Sequence, residues 1–201
     1  MSTDPAPKDQ REFNTRIVEM LELFDIPYAI GGSIAAMYYS RTPRLTNDVD
    51  FMVDVNLQNL ELLVDAVESW PAYIDPLEAI IETYLPARMP INILDGMLGA
   101  KADLFFVAPD GLDASSMSRR RRQKLYVKPE VQAWFLAPED VILYKLAYFQ
   151  MSEGVSQKHP KDIHNMLRAV ERDLDVNYLE HWAAATGVLG LWRAILTEYQ
   201  A

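Results

Sequence analysis

Apolar positions change period along this chain, and each change marks an element. Phe13, Ile17, Met20, Leu21 and Phe24 recur at helical spacing and predict an amphipathic helix that ends before Pro27. Tyr28–Ile30 is a short apolar run suited to a buried strand, and Ser33–Ser40, with Ile34, Ala35, Ala36 and Met37, suits a short, tightly packed helix. In Asp48–Val53 the period drops to two: Val49, Phe51 and Val53 fall on one side, and Asp48 and Asp50 on the other. Leu57, Leu60, Leu63, Val67 and Trp70 restore the helical period after a possible Asn56 cap, and Pro71 closes that helix. A further short helix is expected around Pro76–Tyr84. Pro90–Leu94 and Ala102–Val107 read as strands joined through Asp95, Gly96 and Gly99. Leu112–Arg122 reads as helical, and Lys124–Val127 and Val131–Phe135 as short strands. From Pro138 onward only helices are expected, over Glu139–Met151, Pro160–Glu171, Val176–Thr186 and Val188–Tyr199. The pattern predicts an α/β (α+β) core over residues 1–136, a mixed sheet with flanking helices, followed by a helical region over 137–201.

Composition narrows the setting. With 201 residues, half of them hydrophobic, the chain has material for a real core without staples. It contains no cysteine, which excludes disulfides, thiolate metal sites and cysteine nucleophiles and suits a reducing cytoplasm. Met1–Arg11 is polar, and no apolar run approaches the roughly 20 residues that span a bilayer, so a soluble protein with no membrane partner is expected. The net charge of −10 argues against a general nucleic-acid binder. Arg119–Arg122 with Lys124 is the one dense positive run; it reads either as a solvated face or as a contact for a phosphate-bearing acceptor.

Candidate chemistry gathers between Tyr28 and Val53. Gly31-Gly32-Ser33 follows a short strand and opens a helix, where glycine lets a phosphate approach the backbone and the first-turn N–H groups favour an anion. By itself it is also an ordinary strand-to-helix turn. Asp48 and Asp50 project from one side of their strand about 7 Å apart, close enough to share divalent cations. Asp103 is a third carboxylate, placed at the start of an apolar strand where burial demands a counter-charge or a metal. Arg41 and Arg44 sit in the loop before Asp48, suited to clamping phosphates or flanking an acidic site. Lys145 has Val141, Ile142, Tyr148 and Phe149 as helix neighbours, so its ammonium must snorkel, pair with an acid or point into a cleft. Lys161 and Asp162 open the next helix and suit its dipole as well as a ligand. The three histidines lack metal-ligand spacing.

Gly31-Gly32-Ser33, fourteen intervening residues, then Asp48-x-Asp50 and a later strand carboxylate at Asp103, resembles the nucleotidyltransferase superfamily built on the DNA-polymerase-β-like palm. Within it the chain is similar to the small prokaryotic members: minimal nucleotidyltransferases and the toxins of abortive-infection and type IV toxin–antitoxin systems. The resemblance implies transfer of a nucleoside monophosphate from a nucleoside triphosphate, ATP among the candidates, to an acceptor hydroxyl on a tRNA end, a protein side chain or a small molecule. It implies that Gly32 and Ser33, with Gly31 allowing the turn, hold the triphosphate together with Arg44 and Lys145. Asp48, Asp50 and Asp103 would bind two magnesium ions, with manganese a possible substitute, and Asp103 would help deprotonate the acceptor. A cognate toxin or antitoxin is the partner it suggests. The rival expectation is a non-catalytic nucleotide-binding or partner-binding module on the same fold.

Overall fold

The computed structural model describes residues 6–200; the first five residues of the polar N-terminal stretch lie outside the described residues. In chain order the elements are α1 (Gln10–Leu23), β1 (Tyr28–Ile30), α2 (Gly32–Ser40), β2 (Asp48–Val53), α3 (Leu57–Glu68), α4 (Leu77–Ala79), a π-helical turn (Ile80–Tyr84), α5 (Leu85–Ala87), β3 (Ile91–Asp95) and β4 (Ala100–Phe106). There follow α6 (Gly111–Arg119), β5 (Arg121–Val127), β6 (Glu130–Phe135), α7 (Pro138–Met151), α8 (Lys158–Val170), a 3-10 turn (Glu171–Asp173), α9 (Val176–Ala185) and α10 (Leu189–Gln200). Among the described residues no helix is long and apolar enough to cross a membrane.

These elements form two compact units that are not consecutive in the chain. Among the described residues, 6–30 together with Thr46–Phe135 make one, and Gly31–Leu45 together with 136–200 make the other.

The first unit is a six-stranded mixed sheet in the order β3-β4-β2-β1-β6-β5. β2 runs parallel to β4 and antiparallel to β1, with Asp48 opposite Lys101, Asp50 opposite Asp103 and Ile30 opposite Phe51. Because side chains alternate, this register sorts the sheet into two faces. Tyr28, Ile30, Val49, Phe51, Val53, Ala102 and Leu104 share one face, all buried. α1 and α3 bring Phe13, Ile17, Leu21, Leu60, Leu63 and Val67 to the same core. The Tyr28 ring stands edge-on to Phe51 at 5.8 Å, and its hydroxyl donates to Glu22 of α1 at 2.7 Å. Burial, then the Glu22 charge and hydrogen bond, push that phenol well above its ordinary range.

Two expectations are corrected here. Asp103 is the fourth residue of β4 rather than lying at the start of the strand, because the strand begins at Ala100 and not at Ala102. Arg121 and Arg122 are not helical: α6 stops at Arg119, and these two residues pair with Phe135 and Trp134 across the β5–β6 ladder. Side-chain contacts fix that ladder more firmly than local propensity does. Arg120 and Arg122 lie over the Trp134 ring at 5.0 and 5.6 Å from its centroid, and Arg122 also pairs with Glu22.

The second unit is helical. α2 packs against α7 and α8, and its small residues Ala35 and Ala36 are buried there. The Tyr39 hydroxyl donates to the Leu136 carbonyl at 2.7 Å. Val141, Ile142, Leu146, Ile163, Met166, Leu179 and Trp192 fill the interior. Two buried acids at the start of α7 tie down α9: Glu139 accepts the Asp175 N–H at 2.9 Å, and Asp140 accepts the Tyr178 hydroxyl at 2.6 Å.

Candidate active site

The polar face of the sheet is built by register. Asp48 and Asp50 on β2 lie beside Lys101 and Asp103 on β4, and Asn92 on β3 lies opposite Asp103. Asp48 is exposed, Asp50 half-buried, and Asp103 buried at 9% exposure. The Lys101 ammonium meets Asp103 Oδ2 at 2.7 Å, while Asp103 Oδ1 accepts the Asn92 amide. Burial would lower the Lys101 pKa. The hydrogen bond and charge of Asp103, reinforced by Asp48 and Asp50, outweigh that and raise it.

The donor chemistry of this face suits a hard divalent cation, since Asp48, Asp50 and Asp103 offer only carboxylate oxygens. As the side chains stand, no group of three or more His, Cys, Asp or Glu residues among the described residues is spaced to hold a metal ion. Both oxygens of Asp103 face groups of this chain instead.

In the helical unit, Gly31 precedes the first turn of α2 and Gly32 occupies it with φ +55°, a conformation that glycine adopts at no steric cost. Ser33 does not cap the helix through its side chain. Its hydroxyl accepts the Arg44 guanidinium, which lies 3.5 Å from Asp162 Oδ2. Lys145 pairs with the same oxygen at 2.7 Å, the two side chains being 5% and 9% exposed. Of the readings open for Lys145, the structure shows the ion pair.

His159 stacks on Tyr148 with centroids 6.2 Å apart, and its Nδ1 is buried with no hydrogen-bond partner among the described residues. Burial first, then the charges of Lys145 and Lys158, bring it down to about 4, so it is neutral at pH 7.

Arg44 and Ser33 are thus brought together, and Asp48, Asp50 and Asp103 share a sheet face. Sequence reasoning missed Lys101 and Asn92. Period-two alternation from Asp103 back to Lys101 was the available signal, but a strand expected to begin at Ala102 leaves Lys101 outside it. The basic run is largely committed to structure: beyond the Trp134 contacts, Arg120 donates to the Met117 carbonyl at 2.6 Å and Lys124 pairs with Glu130 at 3.1 Å.

This sheet, with its carboxylates on adjacent parallel strands, defines a nucleotidyltransferase-like fold. Among the solved structures that share it are these three. ANT(2'')-Ia in complex with adenylyl-2''-tobramycin matches with a TM-score of 0.57 at 15% identity, over 88% of this chain and 96% of that one. An antigenic nucleotidyltransferase-like protein from Paracoccidioides brasiliensis matches with 0.56 at 16%, over 98% and 94%. The lincosamide antibiotic adenylyltransferase LnuA, lincomycin-bound, matches with 0.51 at 11%, over 75% and 92%. No protein-family model matches the sequence, and no curated protein matches it.

Proposed function

We propose that this protein is a magnesium-dependent nucleotidyltransferase that moves a nucleoside monophosphate from a nucleoside triphosphate to an acceptor hydroxyl. The observation that carries the reading is the register of β2 and β4, which sets Asp48, Asp50 and Asp103 on one polar face of the sheet. Asp48 and Asp50 would hold magnesium, with Asp103 completing the ligand set. Bound there, the ions would neutralise charge on the attacking and leaving oxygens as pyrophosphate departs. Asp103 takes the acceptor proton. The α2 turn at Gly31, Gly32 and Ser33 takes the triphosphate through backbone N–H groups, and Arg44 supplies a forked cation for a phosphate. Lys145 acts at one remove in this reading: it neutralises Asp162, the carboxylate that holds Arg44 toward Ser33.

A small hydroxylated acceptor fits better than a nucleic acid. The chain is acidic, and Arg120, Arg122 and Lys124 already have partners. ANT(2'')-Ia and LnuA are bound to an adenylylated aminoglycoside and a lincosamide. A tRNA end or a protein side chain as acceptor would instead favour a toxin-like role.

The second reading, a non-catalytic nucleotide-binding module, draws on the engagement of Asp103 by Lys101 and Asn92. The deciding experiment incubates the protein with magnesium and each α-labelled triphosphate in turn. Aminoglycosides, lincosamides, bulk tRNA and a cell extract serve as acceptors, with the Asp48→Asn/Asp50→Asn protein as control. Label on one acceptor class with the wild type alone is expected. Magnesium-dependent triphosphate binding without label in any pool would favour the second reading, and absence of such binding would overturn the first.

A further inference from the structure

Lys101 has no part in the chemistry described above, yet it sits in the middle of it. It stands opposite Asp48 in the β2–β4 register and two positions before Asp103, so it shares the polar face with all three carboxylates. With Lys101 Nζ at Asp103 Oδ2 and the Asn92 amide at Oδ1, the third carboxylate is occupied on both oxygens by this chain. Lys101 brings a positive charge among three carboxylates of this face and offsets part of their mutual repulsion. An ammonium and a divalent cation make the same demand on a carboxylate oxygen, and at Oδ2 each excludes the other.

We propose that Lys101 is a built-in counter-ion that competes with a divalent cation for Asp103. Without metal the ammonium caps Asp103 and relieves repulsion among the carboxylates. With metal it is displaced. This rests on the metal-binding reading of the face and adds to it: the ion held by Asp48 and Asp50 binds more tightly than the one that must evict Lys101. The side chain is 35% exposed, which gives the displaced ammonium a path toward solvent.

The test is a manganese titration of the full-length protein, read by isothermal calorimetry and by the manganese electron-spin signal, for wild type, Lys101→Met, Lys101→Arg, Asp103→Asn and the Lys101→Met/Asp103→Asn pair. Lys101→Met is expected to tighten the weaker site by roughly fivefold to tenfold, the range expected when one partly buried ion pair no longer competes. Lys101→Arg, which keeps the charge, should behave like the wild type. Asp103→Asn should lose the weaker site, and adding Lys101→Met to it should restore nothing. Equal affinities in wild type and Lys101→Met would overturn the competition while leaving the metal reading intact. No manganese binding by any variant would overturn both. A readout independent of any substitution is the nitrogen-15 resonance of the Lys101 ammonium, which is expected to move when magnesium is added to the wild type. A resonance that stays in place at saturating magnesium would refute the displacement.

Discussion

Lys145 and His159 show how burial converts ordinary ionisable groups into structural commitments. Removing the Lys145 ammonium leaves the buried Asp162 carboxylate with Arg44, at 3.5 Å, as its remaining cation among the described residues. Breaking one side of such a pair costs about 3 kcal/mol or more, whereas replacing both sides with apolar groups is often neutral. Lys145→Met should therefore lower urea-unfolding stability by about that amount, and Lys145→Met/Asp162→Leu should recover most of it. His159 has the opposite sign of response. Its folded pKa, about 4, lies below its ordinary value of 6.5, so the unfolded chain binds its proton first as pH falls. The stability linked to neutral His159 is complete above pH 6.5 and is lost between 6.5 and about 4. His159→Phe keeps an aromatic ring for Tyr148 and should flatten that part of the melting-temperature profile relative to wild type. The sequence left pairing with an acid as one of three readings for Lys145 without naming the acid, and nothing in it marked the surroundings of His159. Asp162 was visible as a helix-start residue that would also suit a ligand, but its partnership with Arg44 spans 118 positions. The carboxylates were more accessible. Alternation alone put Asp48 and Asp50 on one side of a strand, but only the parallel pairing of β2 with β4 sets Asp103 opposite Asp50.

At the scale of elements, local chemistry announced most boundaries. Asn56 accepts the Asn59 N–H at 3.0 Å, and the Asn59 side chain accepts the Asn56 N–H at 2.8 Å, a reciprocal capping box that starts α3. Asn56→Ala should cost about 1 kcal/mol in chemical denaturation, while the sheet register and any transfer activity stay unchanged. The apolar period of α1, the alternation of β2 and the Asp95-Gly96 turn were likewise readable, because each depends on residues a few positions apart. β5 was misjudged at its start for the converse reason. Arg121 and Arg122 are acceptable in a helix, and what places them in a strand is β6 together with the Trp134 ring.

For the whole molecule, the proposed transfer reaction makes ligand linkage the informative observable. A ligand bound to the folded state alone at 100 times its Kd stabilises by about 2.7 kcal/mol. Magnesium with the correct triphosphate is expected to raise the melting temperature of the wild type, and of Asn56→Ala equally, but not of Asp48→Asn/Asp50→Asn. An equal rise in that double variant would separate nucleotide binding from the carboxylates.

The helical run after Pro138 was legible as a change of period, whereas the membership of Gly31–Leu45 in that same unit was not: nothing in the local pattern says that α2 packs on α7 and α8, a hundred positions later. That interleaving governs how the chain can be inherited. A recombination event that exchanged everything after Phe135 for the equivalent stretch of a diverged relative would put foreign helices against a resident α2. Tyr39 would face another backbone in place of the Leu136 carbonyl, and Arg44 would meet whatever residue replaced Asp162. Viable chimaeras must carry residues 31–45 along with the C-terminal helices, so the short insert and the distant helices evolve as one linked block.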